Sequence, residues 1–269
     1  MYTANLIGIE KIYKVGGAQA IAAMAYGTES IPQVYKIFGP GNQYVTKAKE
    51  LVQDAGVAID MPAGPSELLV IADSTGNPEF IAADLLSQAE HGVDSQVILL
   101  SDNEILIEKI MVAIAQQLVL LPRVEIAKQA LQNSKAFLLD SIEDCIRFSN
   151  CYAPEHLIIA CEGAIRYIDE IINAGSVFLG NYTCESAGDY ASGTNHTLPT
   201  NGHAKNYSGI SLDSFVKKIT FQELSKEGLV LLGDSIEIMA EAEELFAHKN
   251  AVTIRLKEID NAYYRRSNT

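Results

Sequence analysis

Glu155 and His156 stand side by side in "CYAPEHLII" (151–159), between a proline and an apolar run. The pair has two readings: solvated side chains at a loop end, or two proton-transfer groups at the edge of a cleft. An imidazole titrates near neutrality and suits proton transfer, and a neighbouring carboxylate can activate a water. The chain has five histidines, so the placement of each carries information. A second group lies in "NPEFIAADLLSQAEHG" (77–92). Asn77 suits a helix cap, Pro78 the first turn, and Gly92 a left-handed residue that ends the helix. Gln88 and His91 then fall three apart in the last turn, on one face. That spacing suits metal ligands, and equally a polar helix end.

Asp189 sits in "CESAGDYASGTNHTLPTNGH" (184–203), with His196 and His203 downstream. Small residues around it let the backbone turn sharply, so its carboxylate can point inward or make a local turn bond. In "EAEELFAHKNAVTIRL" (241–256), Glu243 and His248 close a helix ahead of an expected strand. A histidine there can also simply complement the helix dipole. Taken together, Gln88, His91, Asp189 and His248 offer two nitrogen and two oxygen donors. Zinc accepts such donors, although a glutamine oxygen is an uncommon partner. The pattern permits a metal site without demanding one.

The elements that must position these residues follow from hydrophobic patterning. Short apolar runs at 33–38, 67–73, 95–102, 135–140, 155–161, 175–180 and 251–256 read as strands, with amphipathic helical stretches between most of them. Continuous apolar strands alternating with helices predict an α/β fold of largely parallel sheets with flanking helices. Sheets of that kind bind ligands beyond the carboxyl ends of their strands. The stretch 181–209 reads as a long polar loop, of a kind that is more often functional than not. "KIFGPGNQYV" (36–45) offers a strand, a tight turn and a helix start that could place backbone amides near a phosphate. No G-x-G-x-x-G motif follows a strand.

Hydrophobic residues make up 48% of the 269, charged residues 20%, and the formal net charge is −14. That balance fits an ordinary soluble protein and excludes a broad basic surface for nucleic acid. Four cysteines without a C-x-x-C pair read as free thiols in a reducing compartment. No apolar run approaches the roughly 18 residues that a membrane span needs. The stretch "KVGGAQAIAAMAYG" (14–27) reads as a buried Ala-rich helix in preference to a signal peptide. A cytoplasmic location with no membrane partner is expected.

The motifs "DMPAGPSE", "ADLLSQAEHG", "APEHL", "ESAGDYASGTNHTLPT" and "AHKNAVTIRL", in this order, resemble the histidinol dehydrogenase family over essentially the whole chain. The resemblance implies an NAD-linked oxidoreductase that takes L-histidinol to L-histidine in two steps through an aldehyde, closing histidine biosynthesis. It implies Gln88, His91, Asp189 and His248 as Zn2+ ligands that also hold the substrate. Glu155 would be the water activator and His156 the base for the alcohol proton. Ser66, His156 and Glu243 would touch substrate, and Gln19 and Asn42 would lie near the NAD. A homodimer with exchanged C-terminal residues is implied, with Glu243 and His248 serving the partner.

By the same resemblance, the chain lacks a large N-terminal segment of the family. It is therefore expected to hold Rossmann-like incomplete domains plus a small C-terminal helical extension. The expected division is a partial nucleotide-binding-like domain (1–62), a main α/β domain with the zinc and catalytic residues (63–209), and the extension (210–269). Two alternatives to an active dehydrogenase stay open: a non-catalytic or split-enzyme fragment that binds zinc and an imidazole ligand, and a zinc hydrolase using Glu155.

Overall fold

The computed structural model describes residues 1–62 and 64–267. Asn268 and Thr269, the end of the polar tail, lie outside the described residues. In chain order the first elements are α1 (Tyr2–Leu6), α2 (Ala18–Tyr26), β1 (Lys36–Ile37), α3 (Gln43–Val52) and β2 (Ala58–Ile59). Then come β3 (Glu67–Ala72), α4 (Pro78–Ala89), β4 (Gln96–Ser101), α5 (Glu104–Leu118), α6 (Val124–Gln132) and β5 (Lys135–Leu138). They are followed by α7 (Ile142–Tyr152), β6 (His156–Ala160), β7 (Ser176–Leu179), α8 (Glu185–Tyr190), α9 (Lys226–Ala242) and α10 (Phe246–Ser267). Residues 1–216 form one compact unit and 217–269 a second.

The first unit is built on a five-stranded sheet of order β5-β4-β3-β6-β7, with every pairing parallel. Its central strands are apolar on both faces because helices cover both. Leu68, Val70 and Ala72 of β3 pack into one core with α4, α5 and α6, while Leu69 and Ile71 pack into another with α7 and the 3-10 stretch Ala164–Glu170. The period-2 alternation of side chains along a strand makes this split. A smaller parallel pair, β1–β2, carries α2 and α3 around its own core of Ile21, Ala25, Ile37, Val52 and Val57. The Ala-rich helix expected near 14–27 is α2, with Ala20, Ile21 and Ala25 buried. Beside that core, Lys49 and Asp60 form a buried ion pair. Lys49 also donates to the Gly39 carbonyl at 2.7 Å, and Asp60 accepts from the amides of Gly39 and Met61 at 2.7 Å each.

Three local expectations are corrected. The run 251–256 is helix, inside α10, and not a strand. Its β-branched residues raise strand propensity, but the residues around them carry a helix that packs along α9, and tertiary context overrides a weak local preference. The stretch 181–209 is not wholly loop, since α8 occupies 185–190. Gly92 is not left-handed. Helix α4 ends at Ala89 with a right-handed Glu90, and a Cβ on Gly92 would meet only the movable tip of the Asp94 side chain.

The second unit is the antiparallel pair α9 and α10. Leu231, Ile238, Met239 and Phe246 are large apolar side chains left exposed on it.

Candidate active site

Strands β3 and β6 are neighbours, and register pairs Leu68 with His156. Their amino ends therefore lie side by side, which brings Glu67 against Glu155 and His156. The Glu67 amide donates to Glu155 Oε2 at 2.9 Å. All three side chains are buried. The turn before β6 is fixed by Ala153, a left-handed residue (φ 61) that ends α7, and by Gly175, whose absent Cβ would lie 2.5 Å from the Glu155 carbonyl. Helices in such a sheet run antiparallel to the strands, so the end of α4 is delivered to the same side. This places Gln88 and His91 close to the pair. The grouping lies at the amino ends of the strands, contrary to the carboxyl-end expectation. A buried Glu-His pair at the start of a strand cannot be reached from the other end.

His156 is ringed by carboxylates. Its Nδ1 is 3.7 Å from Glu155 Oε2 and 3.9 Å from Glu185 Oε1, and its Nε2 is 3.8 Å from Asp189 Oδ1. Nδ1 also lies 3.2 Å from the Glu67 carbonyl, an acceptor, so this nitrogen carries the proton that is donated there. Nε2 is buried and has no hydrogen-bond partner. In the neutral ring that nitrogen holds the free lone pair. Burial by itself would lower the imidazole pKa, but Asp189, Glu185 and Glu155 outweigh it and push it up to about 9. Burial pushes the Glu155 carboxyl up to about 7, against the pull of His156. Burial likewise raises Glu185 to about 8, whereas Asp189 is held low by the facing His156.

Among the described residues, one atom each from His91, Glu185 and Asp189 lies within 4.8 Å of the others, an arrangement able to hold a metal ion. Gln88 is fully buried against Glu185. Of the residues singled out from sequence, Gln88, His91, Glu155, His156 and Asp189 are thus gathered in one region of the first unit. Ser66 lines an adjoining cavity of about 460 Å³, together with Asn42, Thr46, Lys47, Glu50 and His91. Asn42 caps α3 there, its side chain accepting from the amides of Tyr44 and Val45 at 3.1 and 3.2 Å. Gln19 is exposed on α2 and does not line this cavity. Glu243 and His248 belong to the second unit, where both are exposed. His248 lies in the first turn of α10 and not in a last turn. His203 packs edge-on against Tyr207, its ring centroid 5.9 Å away.

Sequence reading passed over Glu185 and Glu67. The i, i+4 spacing of Glu185 and Asp189 is a signal once 185–190 is taken as helix. Glu67 Oε1 accepts from the Asn201 amide at 2.9 Å and ties down the loop after α8, a contact with no local signature.

Comparison with known proteins bears on this grouping. The histidinol dehydrogenase family model matches residues 1–256. The chain belongs to the histidinol dehydrogenase family. It is 61% identical over 259 residues to a histidinol dehydrogenase of Bacteroides thetaiotaomicron, covering 96% of this chain and 60% of that protein. A Yersinia pestis histidinol dehydrogenase is 56% identical over 264 residues, covering 97% and 60%. The crystal structure of histidinol dehydrogenase from Elizabethkingia anophelis superposes with a TM-score of 0.95 at 67% identity, covering 96% of this chain and 60% of that one. The chain thus spans about 60% of the length of these family members. The α/β architecture with parallel sheets is the family's own.

Proposed function

We propose that this chain carries the substrate- and metal-holding chemistry of a histidinol dehydrogenase, oxidising L-histidinol to L-histidine through the aldehyde. The observation that carries the reading is the buried, partnerless Nε2 of His156, set among the carboxylates of Glu155, Glu185 and Asp189. A buried polar atom without a partner is uncommon in a folded protein and marks a place for a ligand or a proton. Surplus negative charge around it favours a cation.

Gln88, His91 and Asp189 would hold a zinc ion, with His248 completing the set from a second copy of the chain. An imidazole with carboxylate and amide oxygens is a donor set that zinc accepts. When bound, the ion supplies a positive anchor for the substrate's imidazole and amine. NAD bound in the neighbouring cavity beside Asn42 would supply the hydride acceptor, with Gln19, outside that cavity, contacting it elsewhere. The chain's own residues handle protons. In its neutral form, reached as pH rises through about 9, His156, its Nδ1–H held by the Glu67 carbonyl, presents Nε2 to take the hydroxyl proton as the alcohol is oxidised. Glu155, whose pKa stands near neutrality, takes a proton from the water that adds to the aldehyde. Ser66 at the cavity wall and Glu243 from the second copy position the substrate. Exposed Leu231, Ile238 and Met239 on the second unit support an association between copies. No described helix is long and apolar enough to cross a membrane, in keeping with the cytoplasmic location we propose.

The test is NADH formation by the purified chain with L-histidinol, NAD and zinc, beside Glu155→Gln and His156→Asn. Turnover that falls 10²-fold or more in both variants is expected of proton-transfer groups. A second reading, favoured by the 60% coverage, is a portion that binds zinc and the imidazole ligand and needs the rest of a longer protein for turnover. Zinc-dependent histidinol binding without NADH would select it. Neither binding nor turnover would overturn both.

A further inference from the structure

Gln88 is fully buried at the end of α4, and its amide has two unlike ends. Only the oxygen can ligate a cation, so a metal site using this residue must settle which end faces the ion. The terminal group nearest Glu185 lies 2.6 Å from Oε1 and 3.2 Å from Oε2. A metal ion beside Glu185 would keep it ionised, and a carboxylate accepts and does not donate, so the group facing it is the NH2. The opposite end of the amide, its oxygen, then lies toward His91 Nδ1, 3.4 Å away. Glu185 is itself buried, one helical turn before Asp189 on α8. His156, Asp189, Glu155 and Asp84 are the other titratable groups that bear on it.

We propose that Glu185 is a positioning residue of the metal site. Its carboxylate grips the Gln88 amide by the nitrogen and so presents the amide oxygen to the ion beside His91 and Asp189. The proposal rests on the metal reading given above. Groups behind a ligand matter because they remove the freedom to present the wrong atom, and their loss typically lowers metal affinity by about 10- to 100-fold. The same three-residue grouping of His91, Glu185 and Asp189 would also allow Glu185 to be a direct ligand. Its bidentate hold on the amide argues for the positioning role.

A double-mutant cycle on the whole chain separates these roles, with zinc affinity read by chelator competition and the visible spectrum of the cobalt-loaded protein as a second readout. Glu185→Gln is expected to weaken zinc about 10-fold or more and to shift the cobalt bands in the same direction as Gln88→Leu. The double variant is expected to bind no more weakly than Gln88→Leu alone, because Glu185 acts through Gln88. Further loss in the double variant would overturn the proposal, since a direct ligand, or a support for Asp189, works without Gln88. Unchanged affinity in Glu185→Gln would also overturn it. Glu185→Asp, which keeps the charge but withdraws it, is expected to show the same loss and serves if Glu185→Gln does not fold. If the unmodified chain binds zinc no better than His91→Ala, the metal reading itself fails and takes the proposal with it. If the unmodified chain binds zinc and His91→Ala does not, the cycle judges Glu185 alone.

Discussion

Glu155→Gln should cost activity and yet stabilise the fold above neutral pH. Glu155 is buried, and burial lifts its carboxyl from the ordinary 4.5 to about 7. Between those values the folded protein keeps a proton that the unfolded chain has released, so stability falls as pH rises through that window and levels off above it. The gap corresponds to about 3 kcal/mol, taking about 1.4 kcal/mol for each tenfold change in proton affinity. Glutamine has no such charge to bury, and its side-chain oxygen can still accept from the Glu67 amide, which reaches Glu155 Oε2 at 2.9 Å. The variant and the native chain should therefore melt together at pH 4. They should diverge toward pH 8, at about 2–4 °C for each kcal/mol in a chain of this size. Thermal unfolding with chelator present, at pH 4, 6 and 8, reads this directly. A Tm difference that does not change with pH, or a variant less stable at pH 8, would refute the reasoning. Such a trade of stability for function is common where a buried charge does chemistry.

Two further substitutions test how the site is supported. Lys49→Met removes one half of a buried ion pair and strands Asp60, so it should cost about 3–5 kcal/mol in urea unfolding, with part recovered by adding Asp60→Asn. Gly175→Ala places a methyl 2.5 Å from the Glu155 carbonyl, so it should cost about 1–3 kcal/mol and weaken histidinol binding, whereas Gly16→Ala, with no atom within 4 Å of the added carbon and no positive φ, should leave binding unchanged.

What sequence made legible was local and periodic. The cap of α4 is as read: Asn77 Oδ1 accepts from the amides of Glu79 and Phe80, with Pro78 in the first turn. Gln88 lies in the last turn of that helix as expected, but His91 lies two residues past its end and not in the last turn. The apolar runs of β3, β4 and β6 gave the parallel sheet, because residues buried on both faces leave no polar alternation. What stayed hidden depended on contacts across the chain. Glu185 becomes meaningful only when α8 folds against the end of α4, and Glu67 only when strand register sets it beside Glu155. The run 251–256 misled because the strand preference of Val252, Thr253 and Ile254 is weak and context-dependent, and helix packing outweighs it. Ser66, Asn42 and Gln19 have no chemical signature of their own, and motif resemblance alone is what proposes them.

The most direct test of the account is calorimetric titration of L-histidinol into the zinc-loaded chain, repeated after chelation and with His91→Ala. One binding site is expected, abolished by the chelator and by the substitution. Binding of undiminished strength in the chelated protein would contradict the claim that Gln88, His91 and Asp189 hold the ion that anchors the substrate.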